Sequence, residues 1–398
     1  MNERALPIVV AGHICLDIIP DIRVQPAVRS EFLVPGKLVD VGPAMLATGG
    51  AVSNTGLALH RLGLPVKLMG KVGDDLFGGA IVDLLSRHSP EIADGMIVAK
   101  GEQTSYTIVI NPPGVDRIFL HCTGTNDTLT AQDFSGLSAT GAKIFHFGYP
   151  PLMRAMYEND GEGLVRLLAG VKAEGMIASL DMAKPDPASP AGRADWRLIL
   201  KRALPYVDLF LPSFEEILYM LNPNLYADMM ERQGSEDLLP QVTSEILTSI
   251  SDELLNMGVA IVGIKLGEYG LYVRTSPNPE RLRAMNGWAS SEETIVSWTG
   301  RELVAPCFQV RVAGTTGAGD CTIAGLLASF AQEEPIERAL LAAVGVGACN
   351  AERADAVSGI RPWDEIQRRI EGGWEQRNVH PNVAAEFSKR SEDGLWER

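Results

Sequence analysis

Short apolar runs alternate with stretches in which apolar residues recur every three or four positions. Residues 7–12 (PIVVAG) read as a buried first strand. After Gly49 and Gly50, residues 51–62 place Val52, Leu59 and Leu62 on one helical face, which Gly63 ends. A second strand is expected over 66–72 and a second helix over 76–87. Further apolar strands fall at 144–148, 176–182, 207–212 and 259–265, separated by helical periods at 161–174, 194–204 and 242–257. Strands alternating with helices of this size predict a mostly parallel sheet covered on both faces, a three-layer α/β/α sandwich.

Two stretches interrupt the alternation. Residues 18–48 hold strand-like pieces at 32–34 and 37–41 with prolines and no helical period. Within 95–122, residues 104–111 and 116–122 flank Pro112, Pro113 and Gly114, a hairpin signal. Strands inserted at two such places are expected to meet as a small β-sheet lid. Residues 275–303 form a third, polar insertion rich in Ser, Glu and Trp, read as a surface hairpin. The main α/β domain is expected over residues 1–371, and residues 372–398 read as a polar C-terminal tail.

Composition narrows the classes of function. Lys and Arg number 35 against 50 Asp and Glu, a formal charge of −15, so a phosphate backbone would be repelled and nucleic acid is not an expected partner. The longest apolar stretches are about half the roughly 20 residues of a membrane span, and no signal-peptide pattern opens the chain. Cys15, Cys122, Cys307, Cys321 and Cys349 are scattered without CxxC or Cys/His pairing, which points to reduced thiols in a cytoplasm. The six histidines show neither HxxxH nor HExxH spacing, which argues against a metal site built from the protein alone.

The strongest chemical signal is residues 313–329, AGTTGAGDCTIAGLLAS. A β-rich run leads through a Gly/Thr turn into a helix. Gly317, Ala318 and Gly319 let backbone amides approach a ligand at the positive end of that helix, an anion hole suited to phosphate oxygens. Asp320 follows at once, and an acidic residue beside an anion hole is placed to take a proton from an alcohol. The plainer alternative is a glycine turn with Asp320 as a helix cap. Neither a dinucleotide fingerprint nor a Walker loop fits, because the third glycine and the Ser/Thr after Gly-Lys are missing.

A second constellation is Gly49, Gly50, Ser53 and Asn54, with Asp17 just past the first strand. The glycines leave room for a polyol, and Asn54 and Asp17 offer donors and acceptors to its hydroxyls. Each residue alone reads equally well as a turn glycine, a capping Asn or a loop Asp.

Together these segments resemble the ribokinase-like, PfkB-type carbohydrate kinases. Gly49-Gly50, Asn54, Arg61-Leu62-Gly63, residues 70–75 (GKVGDD) and Gly78 match the N-terminal signature, and Thr315-Thr316-Gly317-Ala318-Gly319-Asp320 matches the C-terminal one. The resemblance covers the chain up to about residue 370. It implies a ribokinase-like sandwich with a β-sheet lid and an enzyme that moves the γ-phosphoryl group of ATP, with Mg²⁺, onto a hydroxymethyl group of a small sugar. By the same resemblance Asp320 is the catalytic base, and Gly317, Ala318 and Gly319 form the anion hole. Asp17, Gly49, Gly50 and Asn54 bind sugar; Lys265, Gly267 and Gly270 line the nucleotide site; Glu216 organises magnesium through water. A homodimer through the lid is also expected, since a small sheet leaves edges to cover.

Three positions depart from the family pattern. Ser213 replaces the Asn of its NxxE motif, keeping an oxygen but losing the amide. Lys265 replaces a Thr ahead of the nucleotide-site glycines and offers a cation to phosphate. Gly314 stands where an acidic residue helps hold a potassium-type ion in some members, which argues against a monovalent-cation requirement. His121 and Arg117 sit on the expected lid, and His146, which ends a strand, reads as a buried structural histidine. Two other functions stay open at this level: a nucleoside kinase of the same fold, and a catalytically silent sugar sensor. Few aromatics, 6%, disfavour nucleobase stacking, and the intact Thr-Gly-Ala-Gly-Asp run disfavours the sensor.

Overall fold

A computed structural model describes residues 5–23, 35–111, 118–235, 237–390 and 392–398. In chain order its strands are β1 (Ile8–Gly12), β2 (Cys15–Pro20), β3 (Ala44–Gly49), β4 (Val66–Met69), β5 (Lys71–Gly73), β6 (Ile97–Ala99), β7 (Tyr106–Ile110) and β8 (Ile118–Cys122). They continue with β9 (Ile144–Gly148), β10 (Ile177–Leu180), β11 (Leu209–Phe210), β12 (Ile261–Lys265), β13 (Leu271–Thr275), β14 (Glu302–Ala305), β15 (Ser388–Lys389) and β16 (Trp396–Glu397).

The large sheet has ten strands in the order β15-β16-β14-β13-β12-β11-β10-β9-β1-β4. From β12 to β4 all pairs are parallel, and the remaining edge is antiparallel. Alternation along β1 explains the layering: Ile8 and Val10 enter one core, Val9 and Ala11 the other. Helices Ala51–Arg61, Ala318–Ala331 and Ile336–Ala351 cover the first face. Helices Arg154–Ala173, Trp196–Ala203, Phe214–Leu221 and Ser244–Asn256 cover the second. The fold is the expected three-layer sandwich.

β1 leads to a helix on one face and its neighbour β9 to a helix on the other. The strand order therefore reverses between them, and the crevice past their C-terminal ends is where this architecture holds a ligand.

The small sheet exists, with strand order β3-β2-β7-β8, and joins strands from both interrupting stretches. Its membership differs from expectation at one strand: residues 37–41 are not a strand, and β2 pairs instead with Ala44–Gly49 as well as with β7. The expected 66–72 strand is broken at Gly70 into β4, in the large sheet, and β5, which pairs with β6 in a separate two-stranded sheet. The pieces at 32–34 and 112–117, including Arg117, lie outside the described residues.

The expected surface hairpin at 275–303 is instead two short helices, Pro279–Arg283 and Glu292–Trp298. The polar Asn278 and Ser291 that suggested a surface loop cap these helices. Trp288 and Trp298 are fully buried, and Trp288 stacks on Phe330 with ring centroids 4.4 Å apart. The expected polar tail beyond 371 is likewise part of the sandwich. β16 pairs with β14, while Val379, Val383, Phe387 and Leu395 are buried. Pairing at a sheet edge buries only scattered side chains, so these segments carry no strong apolar period.

Candidate active site

Asp320 lies in the first turn of helix Ala318–Ala331, whose N-cap Gly317 has φ 73°. Its side chain turns inward rather than capping its own helix. Asn54 Nδ2 donates to Oδ2 at 2.9 Å, Thr55 Oγ1 to Oδ1 at 3.4 Å, and the Tyr149 hydroxyl lies 2.8 Å from both oxygens. Burial raises the carboxyl above its ordinary value, against the Lys265 charge and these hydrogen bonds, which lower it. Tyr149 follows β9 with φ 67°, a left-handed backbone uncommon outside glycine. Burial and the neighbouring carboxylates hold its phenol protonated, hence a donor.

Helix Ala51–Arg61 carries Asn54 and Thr55 to this carboxylate. Asn54 Oδ1 is buried with no partner among the described residues, free to meet a ligand hydroxyl. Gly49 and Gly50 have a more particular reason than room for a polyol. A Cβ on Gly49 would collide with the Asp17 carboxylate, and one on Gly50 would meet His13 Nδ1 at 2.5 Å, with Gly50 already at φ 92°. The glycines let Asp17 and His13 pack directly against the backbone that leads into helix Ala51–Arg61. Asp17 is held above its ordinary value by burial, against hydrogen bonds from Cys15 and Thr107.

Lys265 ends β12 beside the turn at residues 317–319; a Cβ on Gly319 would sit 3.8 Å from its Nζ. Its ammonium pairs with Asp181, at the end of β10, at 2.7 Å. Burial opposes the lysine charge, but Asp181, Glu216 and Asp320 together hold it above its ordinary value. Burial also pushes Asp181 up, more than Lys265 pulls it down, and the Glu216 and Asp320 charges add to the rise. Asp181 Oδ2 is buried without a partner among the described residues.

Glu216 also has a local structural role. With Ser213 it forms a capping box on helix Phe214–Leu221, its Oε2 accepting from the Ser213 amide at 2.7 Å. The S-x-x-E spacing was readable as such a box from sequence. Its charge nonetheless acts on Lys265 and Asp181.

A cleft of about 290 Å³ runs from Ala318 and Gly319 past Lys265, Gly267 and Gly270, with Phe308, Val310, Val344 and Ala348 as apolar walls. Gly267 and Gly270 have φ 52° and 104°. A Cβ at Gly314 would meet Ala354 at 2.9 Å, so an acidic side chain does not fit there without movement. His146 is fully buried and bonds Ser179 Oγ at 2.9 Å; burial, then Lys265, lowers it to about 3. His121 reaches from β8 to within 3.4 Å of His13. Sequence reasoning missed Tyr149, Asp181 and His13, which become neighbours only through the convergence of strand ends, and Thr55, which the helix carries beside Asn54.

A carboxylate at a helix N-terminus, beside an amide-lined turn and a buried lysine, on a ribokinase-fold sandwich, defines a phosphotransferase class of site. The family model "pfkB family carbohydrate kinase" matches residues 9–363. The chain belongs to that family and is a sugar kinase. It is 24% identical over 333 residues to fructokinase-2 of Oryza sativa subsp. japonica, covering 82% of this chain and 80% of the relative. A fructokinase with bound ATP from Xylella fastidiosa superposes with a TM-score of 0.64 at 19% identity, covering 92% and 98% of the two chains. A nucleoside kinase from Methanocaldococcus jannaschii superposes with 0.62 at 17%, covering 92% and 99%. At such identities these structures establish the shared fold alone. Among the described residues no helix is long and apolar enough to cross a membrane.

Proposed function

We propose that the protein transfers the γ-phosphoryl group of ATP to a hydroxymethyl group of a small carbohydrate, with Asp320 as the base. The observation that carries this reading is the inward-turned Asp320 carboxylate. It touches Asn54 on the acceptor side and adjoins Gly319 and Lys265 on the donor side.

In this reading Asp17 and Asn54 orient the sugar, and its hydroxyl displaces Tyr149 or Thr55 from one oxygen of Asp320. Asp320 takes the hydroxyl proton as the oxygen attacks in line. The Gly317, Ala318 and Gly319 amides and the Lys265 ammonium receive charge growing on the transferring group. Mg²⁺, which the family implies, suits the hard oxygen donors of Asp181 and Glu216, one of them the orphaned Asp181 Oδ2; when bound it supplies charge neutralisation and phosphate orientation. The apolar walls of the cleft suit a nucleobase, and Gly267 and Gly270 the polyphosphate beneath it. Closure of the small sheet over bound sugar would exclude water.

The exposed apolar side chains Met45, Leu46, Ile118, Phe119 and Leu120 on the small sheet support a homodimer through it. Light scattering should give twice the chain mass, and Phe119→Asp should shift it toward the monomer; a monomeric wild type would remove this part. The five free thiols suit a reducing cytoplasm.

ADP release across a panel of sugars and nucleosides tests the main reading. Turnover with a ketose or aldose and not with nucleosides is expected. Turnover confined to nucleosides, or ATP binding without turnover on any acceptor, would overturn it.

A further inference from the structure

Three potential metal ligands meet where the end of β1, the start of β2 and β8 converge, although nothing in their spacing along the chain relates them. His13 follows β1 in the large sheet, Cys15 opens β2, and His121 lies on β8 of the small sheet. Strand register explains the meeting. Thr107 on β7 pairs with Asp17 on one side and with His121 on the other, while Cys15, two residues before Asp17, shares its face of the sheet. His13 Nε2 and His121 Nε2 stand 3.4 Å apart, and a nitrogen or sulfur ligand atom from each of the three residues lies within 4.8 Å of the others.

From this geometry we propose that His13, Cys15 and His121 form a tetrahedral site for a borderline-soft divalent ion such as Zn²⁺, which pins the small sheet to the large one.

Zinc–nitrogen bonds of about 2.0–2.1 Å make the N···N edge of a tetrahedron about 3.3–3.4 Å, the separation these two imidazoles already have. A zinc N···S edge is about 3.6 Å, so seating the thiolate asks about 1 Å of Cys15 side-chain movement. Thr107 touches two of the three ligands, while burial and the Asp17 carboxylate keep the Cys15 thiol protonated until an ion displaces its proton. Thr107 Oγ1 lies 3.0 Å from His121 Nδ1, which leaves Nε2 to face the cleft, and 3.5 Å from Cys15 Sγ. The two imidazoles are neutral, His13 lowered to about 3 by burial and by His121, and His121 lowered by burial against the charge of Asp127. On binding, the thiol proton passes to solvent and the fourth position goes to water. One mixed N/S donor set favours zinc over magnesium, so this ion and the Mg²⁺ of phosphoryl transfer seek different ends of the cleft.

The functional consequence rests on the proposed role of Asp17 in sugar binding: an ion adjoining Asp17 should compete with sugar and not with ATP. Binding itself is independent of that reading and is measured with neither ATP nor sugar present. Co²⁺ titrated into the full chain should bind one equivalent, with tetrahedral d–d bands and a thiolate-to-cobalt charge-transfer band, and Zn²⁺ should displace it. Cys15→Ser, nearly isosteric, should abolish the charge-transfer band. His121→Ala, on an exposed position, should weaken Co²⁺ binding at least tenfold. Micromolar Zn²⁺ should then raise the KM for sugar while leaving that for ATP unchanged. No tetrahedral Co²⁺ spectrum with the wild type, or a charge-transfer band that survives Cys15→Ser, would overturn the site. Tight tetrahedral binding without effect on sugar KM would uphold the site and overturn its placement against substrate.

Discussion

On the proposed donor side of the cleft, Phe308, Val310, Val344 and Ala348 present apolar walls, with Gly267, Gly270 and Gly319 and the charged Lys265, Glu268 and Arg377 between them. On the proposed acceptor side, Asn54 bonds Asp320 and His13 lies beside His121, while Gly49 and Gly50 lack the Cβ that would collide with Asp17 and His13. The contrast teaches where selectivity resides. In the proposed reading, the glycine-bordered groove takes one common phosphate donor, whereas side-chain donors and acceptors discriminate among acceptors. Asp320 lies between the two, bonded to Asn54 and next in the chain to Gly319, as its proposed role as the base requires.

The predictions test that division. Asp320→Asn is expected to lower kcat by roughly 10²–10⁴-fold with ATP affinity largely unchanged, measured by coupled ADP release and nucleotide titration. Lys265→Met should lower kcat by about 10²–10³-fold, as for loss of one preorganised donor to developing charge. It also leaves Asp181 buried beside two further carboxylates, so thermal stability should fall. Adding Asp181→Asn should restore stability, which would trace the loss to the unpaired buried carboxylate. Gly50→Ala forces a Cβ into His13 at a positive φ; it should cost about 1–3 kcal/mol of stability and raise the KM for sugar but not for ATP. Tyr149→Phe is the mildest. It removes a hydrogen bond that lowers the Asp320 carboxyl, so that group titrates higher still and the acid limb of kcat/KM moves to higher pH. On the high-pH plateau the loss should stay under about tenfold.

The parts of this arrangement legible in the sequence are those carried by contiguous pattern. Residues 144–148 form a strand over that span, and the Gly49–Asn54 and Gly317–Asp320 segments are juxtaposed, Asn54 bonding Asp320 directly. What stayed hidden depends on tertiary neighbours. The strand Ala44–Gly49 lacks β-branched residues except Thr48 and is fixed by pairing with β2. Trp288 and Trp298 lie among polar residues in sequence yet fill space against Phe330, so a polar composition concealed a core segment. Tyr149 and Asp181 follow strands unrelated in pattern, and their common address is the reversal of strand order between β1 and β9. The Ser213–Glu216 spacing supported a capping box and a magnesium motif equally well, because both need a carboxylate one helical turn after a small polar residue.

The most direct test of the central claim is the pH dependence of kcat/KM for the sugar, compared between the wild type and Asp320→Asn. The wild type should lose activity as pH falls through a single ionisation above the ordinary aspartate value, because burial raises Asp320 and only its ionised form takes a proton. In the Asn variant that limb should vanish, leaving a low and flat residual rate. An unchanged acid limb in the variant would contradict the assignment of Asp320 as the base.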